Sequence, residues 1–237
     1  MQFRNVLLAA LVCITMAVFA QAQAIPAATA AQLDGYFLVS YANNPSPGLT
    51  TAESYINMIN TGYNGANALG PGYGNPLGNT CVNVYAFDST EELVACCSCM
   101  VTPDQVVNMG VNANLLAKTQ TGVIPTSVTI KLLNSSADTS KASSPNCNNS
   151  AYLVGTAGSA FTIENGLVAY VSTPGTMNGT TWTSLLEHPF IPSTLTAVGA
   201  GSELASITGR CGSLIGNGSG FGICKTCVAG ALGAAKM

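Results

Sequence analysis

Sulfur supplies the most concentrated chemistry in this chain. Nine cysteines occur; three fall within four positions at Cys96, Cys97 and Cys99, and two more close the chain as Cys224 and Cys227. Such groups can hold a metal, shuttle electrons or form disulfides. In an extended segment neighbouring side chains point to opposite faces, so Cys96 faces one way and Cys97 and Cys99 the other. Setting Cys13 aside with the leader leaves eight: Cys81, Cys96, Cys97, Cys99, Cys147, Cys211, Cys224 and Cys227. An even number in an exported chain points to disulfides. One pairing joins the three central cysteines to Cys211, Cys224 and Cys227 and leaves Cys81 for Cys147, although eight cysteines allow about 105 connectivities. The alternative is a four-thiolate zinc site of Cys97, Cys99, Cys224 and Cys227, against which stand the C-x-C spacing and export. A thioredoxin-like pair at Cys224 and Cys227 lacks the strand and helix that should follow it. Disulfides are the expectation, with no metal and no cofactor.

Other catalytic types are scarce. His188 is the only histidine, so any serine or cysteine hydrolase mechanism must run through it. In LLEHPF it sits at a strand end or turn, and a surface imidazole is expected. No G-x-S-x-G elbow occurs, and GNGSGFG follows a helix and lacks the lysine of a phosphate loop. Asp88, Glu91 and Glu92 form the densest acidic group, without the ordered ligand spacing of a calcium loop. Trp182, the sole tryptophan, is expected in a core or at its rim. Sequons occur at Asn134, Asn148, Asn178 and Asn217 and matter only in a glycosylating host.

The elements that must position these residues read as mainly β. An aromatic and β-branched stretch, DGYFLVSY, is of strand type, and NNPSPG turns the chain. Thr50 to Asn60 combines a capping-box pattern at Thr50 and Glu53 with strand-like alternation; strand is preferred. Gly62 to Asn79 is a long Gly- and Asn-rich loop in which Tyr63 and Tyr73 are candidate ligand contacts. CVNVYAFD alternates Val82, Val84 and Ala86 against Asn83, Tyr85 and Phe87; Asp88, Ser89 and Thr90 turn the chain into ELVACCSCM. Thr102, Pro103 and Gln105 predict one short helical turn. GVIPTSVTIKLL is a strand with Val128, Ile130 and Leu132 on one face. A polar loop follows from Asn134 to Ser150, and AYLVGTA, AFTIE and GLVAYVST predict three more short strands. Ser202 caps a helix whose Leu204, Ile207, Cys211, Leu214 and Ile215 form one stripe, ending at Gly216. Gly209 and Gly212 weaken it, so it needs the sheet to pack on.

Composition sets the compartment and excludes partners. Arg4 precedes an apolar run from Val6 to Ala20 and a small-residue site at Ala22 to Ala24, the pattern of a secretory signal peptide. The run is shorter than the roughly 20 residues a bilayer helix needs. Cys13 lies inside it behind bulky Val12, which disfavours lipid attachment. The expected organisation is a signal peptide at 1–24, a flexible leader at 25–32 and one mainly β domain at 33–237, with an N-terminal sandwich part at 33–135 and a C-terminal part at 151–237. Charged residues make up 7% of the chain, against about 25% in average domains, and net charge is −3. Without clustered Lys and Arg, nucleic acid is excluded as a partner. Low charge favours association through neutral surfaces.

The strings CVNVYAFDSTEELVACCSCMVTP, IPTSVTIKLL and GNGSGFGICKTC together resemble a family of uncharacterised secreted, cysteine-rich proteins associated with Acidobacteria. The resemblance covers most of the mature chain and implies export and a shared cysteine framework; it brings no activity. The expectation is therefore an antiparallel β-sandwich-like domain with a C-terminal helix and a disulfide-tied Gly-rich tail, secreted, periplasmic or at the cell surface. Its expected role is structural, in a cell surface, matrix or fibre, partnered by itself or by other surface components. The alternatives are a glycan-binding module using Tyr63, Tyr73 or Trp182, and a secreted hydrolase working through His188.

Overall fold

A computed structural model describes residues 35–44, 53–65, 78–136, 147, 154, 159, 161–177, 181–196 and 201–225, with backbone alone at 174–177 and 181–185. These residues belong to one compact unit. The predicted signal peptide and leader, the capping position Thr50 and most of the Gly-rich loop lie outside them.

Among the described residues, nine strands form two antiparallel sheets. Sheet one contains β1 (Phe37–Asn43), β3 (Thr80–Phe87), β4 (Leu93–Val101), β6 (Ser127–Ser136) and β9 (Ile191–Pro192), in the order β4-β3-β6-β1-β9. Sheet two contains β2 (Tyr55–Asn60), β5 (Val106–Gly110), β7 (Leu167–Met177) and β8 (Thr181–Pro189), in the order β5-β2-β7-β8. Both sheets draw strands from before residue 136 and after residue 167. One α-helix of the described residues, α1 (Glu203–Gly216), follows.

The alternation of apolar residues explains the layering. Val82, Val84 and Ala86 of β3, Val128, Ile130 and Leu132 of β6, and Leu38 and Ala42 of β1 meet Ile56, Met58, Val107, Met109, Ala169 and Val171 of sheet two in one core. The opposite face of sheet one carries Phe37, Cys81, Tyr85, Phe87, Cys96 and Leu133. Leu204, Ile207, Cys211 and Leu214 of α1 pack on it. Sheet one is thus covered on both sides, and every residue of β3 is buried. At about 1.5 to 3 kcal/mol for each large apolar side chain removed from water, this second cluster holds a helix that its glycines would otherwise leave marginal.

Ser202 caps α1 as the sequence indicates, its hydroxyl accepting from the Ala205 N–H at 3.2 Å. Thr102 to Gln105 is corrected from a helical turn to a tight turn between the sheets. Gln105 Oε1 does accept from the Thr102 N–H at 3.0 Å and from its hydroxyl at 2.9 Å, but Asp104 sits at φ 60°, which stops helical propagation. β5, β8 and β9 and a π-helical turn at Val111–Leu115 carry no clear sequence signal. Of the strands read at AYLVGTA and AFTIE, only Val154 in a turn and an isolated bridge of Ile163 to Ser135 fall among the described residues with assigned structure. Asn134 to Ser136, expected to open a loop, instead continue β6 against β3, and all of that segment beyond them except Cys147 lies outside the described residues.

Candidate functional site

The cysteine-bearing strand β4 is an edge of sheet one. Cys96 lies with the outer cluster and Cys97 and Cys99 with the inner core, as extended geometry requires. Cys96 is bonded to Cys211 of α1, Cys97 to Cys224, and Cys81 to Cys147. Cys99 is also disulfide-bonded, and Cys227 lies outside the described residues. Cys97 and Cys224, two of the four thiolates that a zinc site would need, are therefore joined to each other.

Between Cys211 and Cys224 the chain passes around the free side of β4. The Cys96 N–H donates to the Gly222 carbonyl at 2.8 Å, and Ile223 forms a parallel bridge with Cys96. Gly222 donates in turn to the Lys118 carbonyl at 2.6 Å. Its φ of 75° and the approach of Leu214 Cδ2, 3.1 Å from where a Cβ would stand, make glycine the residue that fits. At Cys96 the free edge of β4 is in this way covered by covalently held chain, and the Val94 carbonyl accepts from the Gln120 N–H at 3.0 Å, one means of protecting a sheet edge.

Where the β3–β4 turn meets α1, the chain gathers its sparse charge. One cleft of about 310 Å³ is lined by Phe87, Asp88, Glu91, Lys131, Glu203 and Arg210 among others. A neighbouring cleft of about 380 Å³ shares Glu91 and Arg210 and adds Glu92. The chain has ten acidic and seven basic residues, and six of them converge here. Their bonding is internal. Lys131 pairs with Glu203, and its Nζ lies 4.9 Å from the Phe87 ring centre. Arg210 donates to the Glu91 carbonyl at 2.7 Å and stands 5.9 Å from the same ring. Asp88 Oδ1 accepts from the Thr90 N–H and hydroxyl, each at 2.8 Å, and from the Glu92 N–H at 3.0 Å. Partial burial works against the Asp88 anion, but these bonds outweigh it and hold the pKa below the ordinary value. The acidic group is accordingly a hydrogen-bonded turn that docks the helix. Sequence reading singled out Asp88, Glu91 and Glu92 but missed Lys131, Glu203 and Arg210, whose only signal is scarcity.

Two further polar arrangements went unread. Glu53 is buried and accepts from the Asn112 N–H at 2.6 Å and the Ala113 N–H at 3.3 Å, capping the π-helical turn. Burial raises its pKa, and the two backbone bonds oppose the rise. On the outer face of sheet two, Asn108 Nδ2 donates to Asn57 Oδ1 at 2.6 Å, Asn57 Nδ2 to Ser172 Oγ at 2.7 Å, and Ser172 Oγ to Glu187 Oε1 at 3.1 Å. This row crosses all four strands.

The remaining candidates are dispersed. Tyr63 is 65% exposed; Tyr73 and the Trp182 side chain lie outside the described residues. His188 is exposed at the end of β8, opposite Val171. Asn134 is buried, Asn217 is exposed beyond α1, and Asn148 and Asn178 are not among the described residues. No described helix is long and apolar enough to cross a membrane.

No protein-family model and no curated protein matches the chain. Among solved structures, it is similar to one titled "Crystal Structure of Thermotoga maritima 1070", at 10% identity over 65% of this chain and 90% of that one, with a TM-score of 0.34, a likeness too slight to carry an argument.

Proposed function

We propose that the protein is an exported, disulfide-stabilised structural component of a cell surface or extracellular matrix, working without catalysis and by assembly, fibres included. One observation carries the reading: α1 and the segment after it are bonded covalently to both faces of β4. Disulfides persist outside the reducing cytoplasm, and each contributes about 2 to 4 kcal/mol. The groups best suited to chemistry, Asp88, Lys131, Glu203, Arg210 and Glu53, are spent on joining elements. Negative-stain microscopy of the purified oxidised protein over a range of concentrations tests the reading. Assembled particles are expected; strictly monomeric particles throughout contradict it.

Glycan binding is the second reading. Tyr55 and Tyr170 stand in diagonal register on the outer face of sheet two, beside the row that ends at Glu187. Aromatic rings next to amides and a carboxylate suit the apolar faces and hydroxyl edges of sugars. A glycan array without signal removes it. A hydrolase working through His188 gains nothing from the position of that residue opposite an apolar Val171.

A further inference from the structure

We propose that β8 is a self-recognition edge, through which two copies of this chain join antiparallel, β8 to β8, about a two-fold axis at Leu186. The inference rests on the assembly reading above and names its partner and contact.

Among the described residues β8 pairs only with β7, at the end of sheet two. The other edges differ. β4 is crossed at its middle by Gly222 and Ile223, which bond and bridge Cys96, β9 is two residues long, and β5 is five residues and runs directly into the π-helical turn.

The directions of the β8 backbone groups follow from one bond. The Phe190 N–H donates to the Ala169 carbonyl at 2.8 Å, continuing the register that sets Tyr170 opposite Pro189 and Val171 opposite His188. Hydrogen-bonded and non-bonded pairs alternate along an antiparallel ladder. His188, Leu186 and Ser184 therefore turn N–H and C=O toward β7, while Glu187 and Leu185 turn theirs away. Pro189 takes the next outward position, where a missing N–H costs the sheet nothing. At the other end the register steps from Gly175–Ser184 to Thr176–Trp182, leaving Thr183 as a bulge.

The edge open to a partner is thus bounded by a bulge at Thr183 and a proline at Pro189, with Leu186 midway. An axis at Leu186 sets each unpairable position opposite the other, Thr183 against the partner's Pro189. It matches the outward groups of Leu185 with those of the partner's Glu187 and keeps the two Glu187 carboxylates from facing each other. Leu186, 55% exposed although it lies on the face that carries Val171 into the core, then meets the partner's Leu186 as a close non-hydrogen-bonded pair. A net charge of −3 adds little repulsion between copies. The result is one continuous sheet through both subunits.

Sedimentation velocity on the oxidised full chain over a range of concentrations tests this, with wild type beside Glu187→Pro and Leu186→Lys and thermal melts of each. Glu187→Pro removes an outward N–H and spares the backbone bonds to β7, although it gives up the carboxylate that accepts from Ser172. Leu186→Lys leaves the backbone whole and answers for the proline should that variant melt early. The expected result is a wild-type dimer and association weakened by about thirtyfold in both variants, since symmetry doubles each lost contact of roughly 1 kcal/mol. In Leu186→Cys, oxidation should cross-link the copies. Wild-type assembly that both substitutions leave unchanged overturns the β8 contact and spares the structural reading. A wild-type monomer at every concentration overturns both.

Discussion

Cys96 and Cys97 are adjacent in the chain, yet their disulfides lie on opposite faces of sheet one, Cys96 reaching Cys211 on the helix side and Cys97 reaching Cys224 on the core side. The chain between Cys211 and Cys224 must pass around the β4 edge to satisfy both. Peptide mapping by mass spectrometry without reduction should recover Cys81–Cys147, Cys96–Cys211 and Cys97–Cys224 as linked peptides. Free thiols at these positions in oxidised protein would contradict the arrangement. Converting Cys97 and Cys224 together to serine should cost about 2 to 4 kcal/mol. It should also speed amide hydrogen exchange at Cys96 and Gly222 while α1 stays docked through Cys211.

Asn83 is completely buried in β3. Its amide donates to the Leu133 carbonyl at 3.1 Å and to Ser135 Oγ at 3.3 Å, and its oxygen accepts from Ser98. Asn83→Leu strands these partners in an apolar layer. A loss of about 1 to 3 kcal/mol is expected, each buried group left unpaired carrying a penalty of that order. Urea unfolding with an unchanged m-value measures it.

Glu53 titrates in the opposite sense to Asp88. Burial raises the Glu53 pKa above its ordinary 4.5, so the folded state holds this proton more tightly than the unfolded chain does. Its contribution is most favourable below the ordinary value and is lost as pH rises through the folded value. Asp88, with its pKa lowered from 3.8, contributes above that value and loses its contribution as pH falls. Unfolding free energies of wild type and Glu53→Gln, measured from pH 4 to 7, should therefore diverge, with the wild type losing ground as pH rises. Parallel curves would show that Glu53 does not titrate differently on folding.

The sequons separate by burial. The Asn134 amide nitrogen is held by the Glu164 and Asn165 carbonyls at 3.0 and 3.2 Å. Asn217 is exposed beyond the helix end, its Oδ1 accepting from the Ser219 N–H at 2.8 Å. Expression in a glycosylating host should give glycopeptides at Asn217 and none at Asn134 in folded protein. Occupied Asn134 in the folded fraction would refute its placement.

Ser202 gives a further check on α1. Ser202→Ala should cost about 1 kcal/mol, read from the thermal midpoint. No change would mean that the sheet contact alone sets where the helix begins.

Wherever burial follows one strong period, the chain itself specified the outcome. Period-two alternation marked β3 and β6, the stripe from Leu204 to Leu214 marked α1, and the cap at Ser202 marked its start. The opposed directions of Cys96 and Cys97 followed from extended backbone alone. The tertiary structure decided which strands neighbour one another, since β1 pairs with β6 and β2 with β5 and β7. It also decided that Thr102 to Gln105 is a corner, that Asp104 adopts a left-handed conformation there, and that Lys131, Glu203 and Arg210 meet around Phe87. These outcomes depend on partners far apart in the chain, 123 residues in the case of Phe87 and Arg210. Local periodicity reports which face of a segment avoids water; the matching of one buried face to another is settled only when the chain closes on itself.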